Sequence, residues 1–365
     1  MTGYYLGAGI ITVRTTGRLP RMKARRLESC HLRPGVLYLT YGLGVVAMLA
    51  YWVRAGGIPV FAADLENARL TALTGSGVPF YMSFLMMVGY WLMLAPRSPV
   101  SSGTRWILFI LTVLLLASTG WRNTVFAFVV LTLLIQHYIK PIRTPVIFGA
   151  GAAAVLGAVA VGLYRVQSSN LTNYATYQLV ASSDYLGATR VYLSTYFDAF
   201  ARNLATVFDI VPYSMPYQHG KSFIWNFLAL VPGSSLEPFD FKLKQAAGQG
   251  FAGGGLPPTL VGEFYVNFGT AGIFVGMMVI GLLAAIFHAV ARGTTSYILL
   301  IVGLIGSYYI FVSVRGGIGN VTLTVTWLIL STLLVSRFAM RSAMHTTSPE
   351  PKQSGKNLHS PVASC

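Results

Sequence analysis

The stretch "GGGLPPTLVGEFYVNFGTAGIFVG", from Gly253 to Gly276, decides the fold class of this 365-residue chain. It opens with glycines, passes two prolines and becomes an apolar run that extends from Leu260 to Ala289. A helix needs about 20 apolar residues to cross a bilayer, and this run is long enough. One carboxylate, Glu263, lies where the run begins, and an acid at that position needs an explanation.

The composition of the whole chain is that of an integral membrane protein. Hydrophobic residues make up 54% and charged residues 10%, whereas soluble domains carry about 25% charged residues. The net charge of +16 does not indicate a nucleic-acid-binding protein, because no basic or aromatic binding module accompanies it. Cys30 and Cys365 stand outside any CxxC or Cys/His spacing, so we predict no metal site and no disulfide framework.

Seven further apolar segments predict membrane-spanning helices. They are 35–52, 79–95, 106–117, 124–137, 145–163, 297–314 and 321–335. The apolar segment 3–13 is too short to span alone, so we expect a partial first helix and a shortened N-terminus. The sequence thus predicts an all-α polytopic integral membrane protein with about 8–10 transmembrane helices.

The predicted domain organisation follows from these spans. Residues 1–34 form the partial first helix and a basic cytoplasmic loop, and 35–163 form the N-terminal transmembrane helices. Residues 164–258 form a long extracytoplasmic loop, and 259–338 form the C-terminal transmembrane helices. The tail 339–365, rich in Ser, Pro and Lys, is expected to be a disordered cytoplasmic segment.

Basic residues predict the orientation of the chain. Lysine and arginine are enriched in cytoplasmic loops, and one short loop before the first full span carries Arg14, Arg18, Arg21, Lys23, Arg25, Arg26 and Arg33. Counting spans from a cytoplasmic loop here also puts most other basic clusters in the cytoplasm. The loops that contain Arg54, Arg122 and Arg315 then lie outside, together with the long loop.

The long loop contains a predicted amphipathic helix at 184–210. Apolar residues from Leu186 to Val207 recur at three-, four- and seven-residue steps, which is a helical period. We expect this helix to lie along the outer membrane surface or to dock on the bundle. The segment 223–231 is too short to span, and we expect it to re-enter the membrane or pack on the bundle. Another face of 184–210 carries residues four apart: Arg190, Ser194, Asp198 and Arg202.

Three pieces of the sequence carry a resemblance to a known family. They are "RAGGIPVFAADLENARLTALTGSG" (Arg54–Gly77), "STGWRN" (Ser118–Asn123) and "GGGLPPTLVGEFYVNFGTAGIFVGM" (Gly253–Met277), the last after the long loop. In this order they resemble the Wzy-type O-antigen polymerases, also called oligosaccharide repeat unit polymerases. Pro257–Gly276 is the most specific piece, and the likeness over 35–335 is mainly one of topology. These polymerases usually have more spans than this chain.

The resemblance implies a glycosyltransferase of the bacterial inner membrane, with a GT-C-like helical bundle and a periplasmic cavity. It implies that the growing chain leaves one undecaprenyl pyrophosphate for a sugar hydroxyl of another lipid-linked unit, in O-antigen, capsule or exopolysaccharide synthesis. No nucleotide sugar and no other cofactor is implied. The implied partners are the lipid-linked oligosaccharide, membrane lipids, a flippase and a chain-length regulator, with no nucleic acid.

The chemistry of a pyrophosphate leaving group points to arginine. The planar guanidinium group of arginine binds phosphate oxygens in pairs and stays protonated. We take Arg190, Arg202 and Arg315 as catalytic candidates, the last because glycines follow it and let backbone N–H groups approach a phosphate. Helix pairs and helix ends also explain each arginine. The substrate-binding candidates are Arg69, Arg122, Arg165, His219 and Asn267.

Glu263 is the fourth catalytic candidate, because the acceptor hydroxyl needs a carboxylate that orients it and accepts its proton. If a helix begins near Thr259, Glu263 lies in its second turn and Asn267 lies one turn below on the same face. An ionisable group entering the apolar zone usually faces a cavity. Alternatively, Glu263 complements the positive helix N-terminus, an effect of about 0.3–1 kcal/mol. Both explanations stay open.

Two rival functions also stay open. An O-antigen ligase uses the same donor with lipid A–core as the acceptor, and the Pro257–Gly276 pattern favours a polymerase over it. A lipid-linked oligosaccharide flippase or other transporter is expected to show repeated halves and charged or broken helices near the bilayer midplane. The sequence has no internal repeat, and its outer charges gather at one face.

Overall fold

The computed structural model describes residues 27, 32–62, 68, 76–168, 174–230, 236–249 and 255–340. Within these ranges the chain is almost entirely helical. The helices are α1 (Pro34–Arg54), α2 (Gly77–Ser83), α3 (Leu85–Met93), α4 (Ser102–Ala117), α5 (Arg122–Ile139), α6 (Thr144–Ser168), α7 (Tyr174–Ala181), α8 (Tyr185–Ile210), α9 (Lys221–Ala229), α10 (Phe239–Ala246), α11 (Thr259–Gly293), α12 (Tyr297–Gly316) and α13 (Gly319–Ala339). Most of the predicted segment 1–34 and nearly all of the predicted tail lie outside the described residues.

All eight predicted spans correspond to helical stretches. Among the described residues, five helices are long and apolar enough to cross a membrane, namely α1, α5, α11, α12 and α13. The shorter apolar stretches are α2 with α3, and α4. The 25-residue α6 occupies the remaining predicted span. The fold class is therefore confirmed as all-α and polytopic, while the total of 8–10 crossings and the GT-C-like architecture stay predictions.

Helix α3 forms the centre of the bundle, since all nine of its residues are buried. Gly89 lets α1 approach closely, because a Cβ at Gly89 would lie 3.0 Å from the backbone nitrogen of Tyr41. Trp91 Nε1 donates to Thr132 Oγ1 at 3.0 Å, and Tyr297 Oη donates to the Trp91 carbonyl at 2.5 Å. Small residues and interhelical hydrogen bonds of this kind hold helices together in a membrane, where the hydrophobic effect does not drive helix association.

Backbone contacts sort the helix ends into two sets. At one end, the Arg33 N–H donates to the Ala339 carbonyl at 2.8 Å, so the start of α1 meets the end of α13. At the other end, the Val60 N–H donates to the Ser118 carbonyl at 3.1 Å, which joins the segment after α1 to the turn after α4. This grouping agrees with the predicted alternation of loops along the chain.

Helix α11 differs from the single continuous span that the apolar run predicts. Its backbone leaves helical geometry at Phe268 (φ −141°, ψ 15°) and Gly269 (φ 65°, ψ −155°). The conformation of Gly269 is essentially restricted to glycine. Helix α11 is therefore two helical stretches, 259–267 and 270–293, joined by a break.

The first stretch of α11 folds back along the second. Phe264 contacts Gly276, and a Cβ at Gly272 would lie 2.6 Å from the Phe264 carbonyl oxygen. Residues eight positions apart in a straight helix are separated by about 12 Å along its axis, so these contacts require a sharp reversal. The stretch 270–293 still extends over about 36 Å, which is enough to cross the hydrocarbon core. The stretch 259–267 is a short helix beside it.

Helix α8 coincides with the predicted amphipathic helix, and its C-terminal half docks on the bundle. The Asp184 carboxylate caps its N-terminus by accepting from the Gly187 N–H at 2.9 Å. Leu204 and Val207 reach within 3.3 and 3.5 Å of the Cβ position of Gly262 in α11. The predicted short segment 223–231 corresponds to α9, which packs on α13.

Candidate functional site

Glu263 lies in the first stretch of α11 and is 1% exposed. Ser222 Oγ donates to its Oε1 at 2.6 Å, and the Gly319 N–H donates to its Oε2 at 2.9 Å. Both carboxylate oxygens therefore accept hydrogen bonds from distant parts of the chain. These two donors, and the Ile318 backbone N–H that also bonds to the carboxylate, are neutral groups.

The Glu263 carboxylate lies at the N-terminal ends of two other helices. Ser222 is in the first turn of α9, and Gly319 is the first residue of α13. Helix N-termini carry partial positive charge and free N–H groups, so they stabilise an anion. Burial of a charge is costly, and these two contacts offset part of that cost. The carboxylate thus joins α9, α11 and α13 at one point.

The glycines that follow Arg315 make room for this carboxylate. A Cβ at Gly317 would lie 2.5 Å from Glu263 Oε2, and a Cβ at Gly319 would lie 2.6 Å from Oε1. Gly317 also has a φ of 83°, which disfavours other residues. The sequence suggested that these glycines expose backbone N–H groups to a phosphate, whereas the Gly319 N–H donates to Glu263.

Asn267 extends the Glu263 network and is 0% exposed. Its Nδ2 donates to Ser222 Oγ at 2.7 Å and to the Glu263 carbonyl at 2.8 Å. Its Oδ1 accepts from the Gly220 N–H at 2.7 Å. The structure therefore brings Asn267 and Glu263 together, as their spacing of one helical turn suggested.

The turn before α9 caps the end of the first α11 stretch. The break at Phe268 leaves carbonyls without helical partners. The Gln218 N–H donates to the Val266 carbonyl at 2.9 Å, and the His219 N–H donates to the Asn267 carbonyl at 3.1 Å. The turn fixes the backbone of His219 beside Glu263, while its imidazole is exposed.

Arg315 lies in the last turn of α12, one residue before the glycine-rich turn that contacts Glu263. Its side chain is exposed, and its guanidinium carbon lies 5.9 Å from the centre of the Phe200 ring on α8. A cation over an aromatic ring is a weak attraction of about 0.5–1 kcal/mol at exposed sites. Arg202 is exposed on α8, two residues beyond Phe200, so it points to a different face of the helix from Phe200. Arg315 and this part of α8 therefore belong to one neighbourhood.

Arg190 and Arg122 belong to a second neighbourhood. Arg190 is exposed on α8, and about 18 Å of helix axis separates it from Arg202. Near it, the phenolic Oη of Tyr192 accepts from Arg122 Nη1 at 2.6 Å, which joins α8 to the start of α5. Arg165 lies in α6, whose described part does not include that side chain, and Arg69 lies outside the described residues.

A narrow crevice opens beside the Glu263 carboxylate. In this conformation it has no room for even one water molecule, whereas sites for small molecules measure about 300–1,000 Å³. A sugar therefore requires this crevice to widen. Among the described residues, no group of three or more His, Cys, Asp or Glu side chains is arranged to hold a metal ion. The crevice is lined by Phe239, Pro258, Glu263, Gly316, Gly319 and Asn320.

Three polar residues of this site are not among the candidates that the sequence suggested. Ser222 contacts Glu263 directly, and Asn226 Nδ2 donates at 3.1 Å both to the Gly319 carbonyl and to Asn320 Oδ1. Asn226 and Asn320 are polar residues in or beside apolar segments. Polar groups in apolar segments often mark a functional site. Asn226 and Asn320 meet this criterion as Glu263 does.

Comparison with known protein families adds independent evidence. Residues 4–185 match the family described as "Putative O-antigen polymerase". No curated protein and no solved structure matches the chain. The matched range includes Arg122 and two of the three sequence pieces that carried the resemblance, but it ends before Glu263 and Arg315.

Proposed function

Because this chain belongs to the O-antigen polymerase family, we propose that it joins lipid-linked oligosaccharide repeat units into a polysaccharide as a glycosyltransferase of the bacterial inner membrane. The donor is a glycan chain on undecaprenyl pyrophosphate, and the acceptor is a sugar hydroxyl of a second lipid-linked unit. The reaction takes place on the periplasmic face. A flippase that delivers the units and a chain-length regulator are its expected partners.

The observation that carries this proposal is the buried Glu263 carboxylate beside the turn that bears Arg315. A carboxylate suits the acceptor hydroxyl, and an arginine suits the pyrophosphate of the donor. Both groups lie at the end of the bundle that the distribution of basic residues predicts to face the periplasm. The two halves of a glycosyl transfer thus have suitable groups within one neighbourhood.

In the proposed reaction, the bond between the anomeric carbon of the donor and its pyrophosphate oxygen breaks. The acceptor oxygen bonds to that carbon, and undecaprenyl pyrophosphate leaves with the electron pair. Arg315 stabilises the negative charge that develops on the pyrophosphate, since fixed cations are most effective where charge appears in the transition state. Arg202, on another face of the same part of α8, is the second candidate for this role. The exposed side chains of both arginines are accessible to a lipid headgroup.

Glu263 orients the acceptor hydroxyl and accepts its proton. Ser222, Gly319 and Ile318 together occupy three acceptor positions of the carboxylate, and a carboxylate offers about four positions in all. Glu263 can therefore accept a hydrogen bond from the substrate hydroxyl on the crevice side without losing its hydrogen bonds to the protein. The crevice must widen to admit the sugar, and Gly316 and Gly319 of the glycine-rich turn after Arg315 line it.

The remaining candidates are assigned roles away from the bond that breaks. Arg190 is too far along α8 to share one pyrophosphate with Arg202, so we assign it, together with Arg122, to more distant parts of a lipid-linked unit. His219 and Asn267 hold the turn and the helix that flank Glu263. Arg69 and Arg165 stay candidates for substrate binding on the strength of the sequence alone.

The test of the function is deletion of the gene in its native host, with complementation. Surface polysaccharide is separated on a gel by chain length. We expect the deletion to leave a single repeat unit on lipid A–core and the wild-type gene to restore the ladder. Bare core with polymer accumulating on its lipid carrier would indicate a ligase instead. Bare core with neither polymer nor periplasmic repeat units would indicate a flippase, and an unchanged ladder would exclude all three functions.

A further inference from the structure

We infer that Ser222 is a positioning residue that keeps Glu263 available as a proton acceptor. It does so through a chain of hydrogen bonds that runs from Asn267 through Ser222 to Glu263 in one fixed direction. This inference rests on the proposed function. Ser222 carries none of the charge that drew attention to the other candidates, and it is wholly buried. Its hydroxyl bonds to the side chains of both Asn267 and Glu263.

The direction of this hydrogen-bond chain is determined at Asn267. The Gly220 N–H can only donate, and it lies 2.7 Å from one atom of the Asn267 amide, so that atom is the oxygen. The amide nitrogen therefore lies on the other side, where it donates to Ser222 Oγ at 2.7 Å and to the Glu263 carbonyl at 2.8 Å. A backbone N–H thus determines which way the amide faces.

The direction passes from Asn267 to Glu263 through the Ser222 hydroxyl. An amide nitrogen has no acceptor capacity, so Ser222 Oγ accepts from Asn267. A hydroxyl has a single proton, and the Ser222 proton is therefore available for Glu263 Oε1 at 2.6 Å. The other carboxylate oxygen faces the Gly319 N–H, which can only donate. Both oxygens of Glu263 are consequently held as acceptors.

This arrangement leaves the crevice side of the carboxylate as the place where it receives a proton. Ser222 and the backbone of Gly319 and Ile318 already donate to the carboxylate from within the protein, and the crevice lined by Glu263, Gly316 and Asn320 is the side from which an acceptor sugar hydroxyl enters once the crevice widens. A Ser222 that acted only as packing would need its shape and not its proton. A positioning Ser222 needs the proton as well.

The experiment measures polymerisation in membrane vesicles of the deletion host, with the full-length protein and added lipid-linked repeat unit purified from that host. We expect Ser222→Ala to lower kcat at least about tenfold, as for loss of a hydrogen bond to a charged group. KM should stay within about threefold, because the serine does not touch substrate. Ser222→Thr, which keeps the hydroxyl, should recover most of the activity. Ser194→Ala, an exposed serine on α8, is the matched control.

A second variant tests the direction of the hydrogen-bond chain and leaves Ser222 in place. Asn267→Asp replaces the donating amide nitrogen by a carboxyl oxygen, which accepts from Ser222 when ionised and so turns the Ser222 proton away from Glu263. We expect kcat to fall by a similar factor at unchanged expression. If Ser222→Ala keeps kcat within about threefold of wild type, or if Ser222→Thr falls as far as Ser222→Ala, the positioning role is wrong. If wild-type protein itself forms no polymer, the proposed function fails instead.

Discussion

Glu263 Oε2 accepts a hydrogen bond from the backbone N–H of Gly319 at 2.9 Å, although 56 residues separate them in the sequence. This bond ties a short folded-back helix to the beginning of the last helix of the bundle. The space for it exists because position 319 has no side chain. The relationship connects the acidic candidate of the site to the turn that carries its arginine candidate.

Gly319→Ala should disrupt this junction. The added Cβ would lie 2.6 Å from Glu263 Oε1 and 2.6 Å from the Ser222 carbonyl oxygen, so either α9 or the carboxylate must move. Overpacking of this kind costs about 1–3 kcal/mol. We expect a lower melting temperature in detergent and loss of polymer of high chain length. Gly42→Ala in α1 is the control, because its added Cβ would have no atom within 4 Å. Equal behaviour of the two variants would contradict the close packing described here.

Gly269→Ala should displace the first stretch of α11. A residue with a side chain in this backbone conformation costs about 1–3 kcal/mol, and relief of the strain would straighten the break that presents Glu263. We expect reduced stability together with reduced polymerisation. Gly149→Ala in α6 has no atom within 4 Å of its added Cβ, and it should match or slightly exceed wild type in stability. A Gly269→Ala protein with normal stability and normal ladder would show that the break is dispensable.

Arg315 should contribute to catalysis through the planar geometry of its guanidinium group as well as through its charge. Arg315→Ala should reduce polymerisation strongly, and Arg315→Lys should restore only part of it, because lysine lacks the paired donors that match phosphate oxygens. Arg143→Ala, an exposed arginine at the opposite end of the bundle, controls for loss of one positive charge. Initial rates in vesicles provide the measurement. Full activity of Arg315→Ala would remove this arginine from the pyrophosphate site.

Tyr192→Phe should weaken the attachment of α8 to the membrane bundle. The variant loses the phenolic oxygen that accepts from Arg122 at 2.6 Å, and loss of a hydrogen bond to a charged group costs about 1.5–3 kcal/mol. We expect a lower melting temperature, whereas Tyr213→Phe, at an 87% exposed position, should leave it unchanged. Indistinguishable melting of the two variants would mean that the Arg122–Tyr192 contact does not hold α8.

Apolar length and helical period predicted most of the fold. The segments that became α1, α5, α12 and α13 stand out because a bilayer demands long apolar helices, and the period of 184–210 predicted α8. The break at Gly269 was not predictable in this way. Glycine is common in transmembrane helices, and the apolar run continues through the break, so neither composition nor period signals a reversal of the chain.

The candidate site was only partly predictable, because its contacts join distant parts of the chain. The one-turn spacing of Glu263 and Asn267 follows from helical geometry. The partners Ser222 and Gly319 come from 41 residues before and 56 residues after Glu263, and only the folded chain brings them there. The glycines after Arg315 resembled a phosphate-binding turn in the sequence, but their lack of side chains accommodates a carboxylate of the same protein.

The most direct test of the central claim uses the purified protein in lipid vesicles with purified undecaprenyl-pyrophosphate-linked repeat unit as the sole substrate. Products are resolved by chain length, and the released undecaprenyl pyrophosphate is quantified. We predict a ladder of linked units, with one undecaprenyl pyrophosphate released for each bond formed, and loss of the ladder in Glu263→Gln. A wild-type protein that forms no linked units, or a Glu263→Gln variant that forms them at the wild-type rate, would contradict this account.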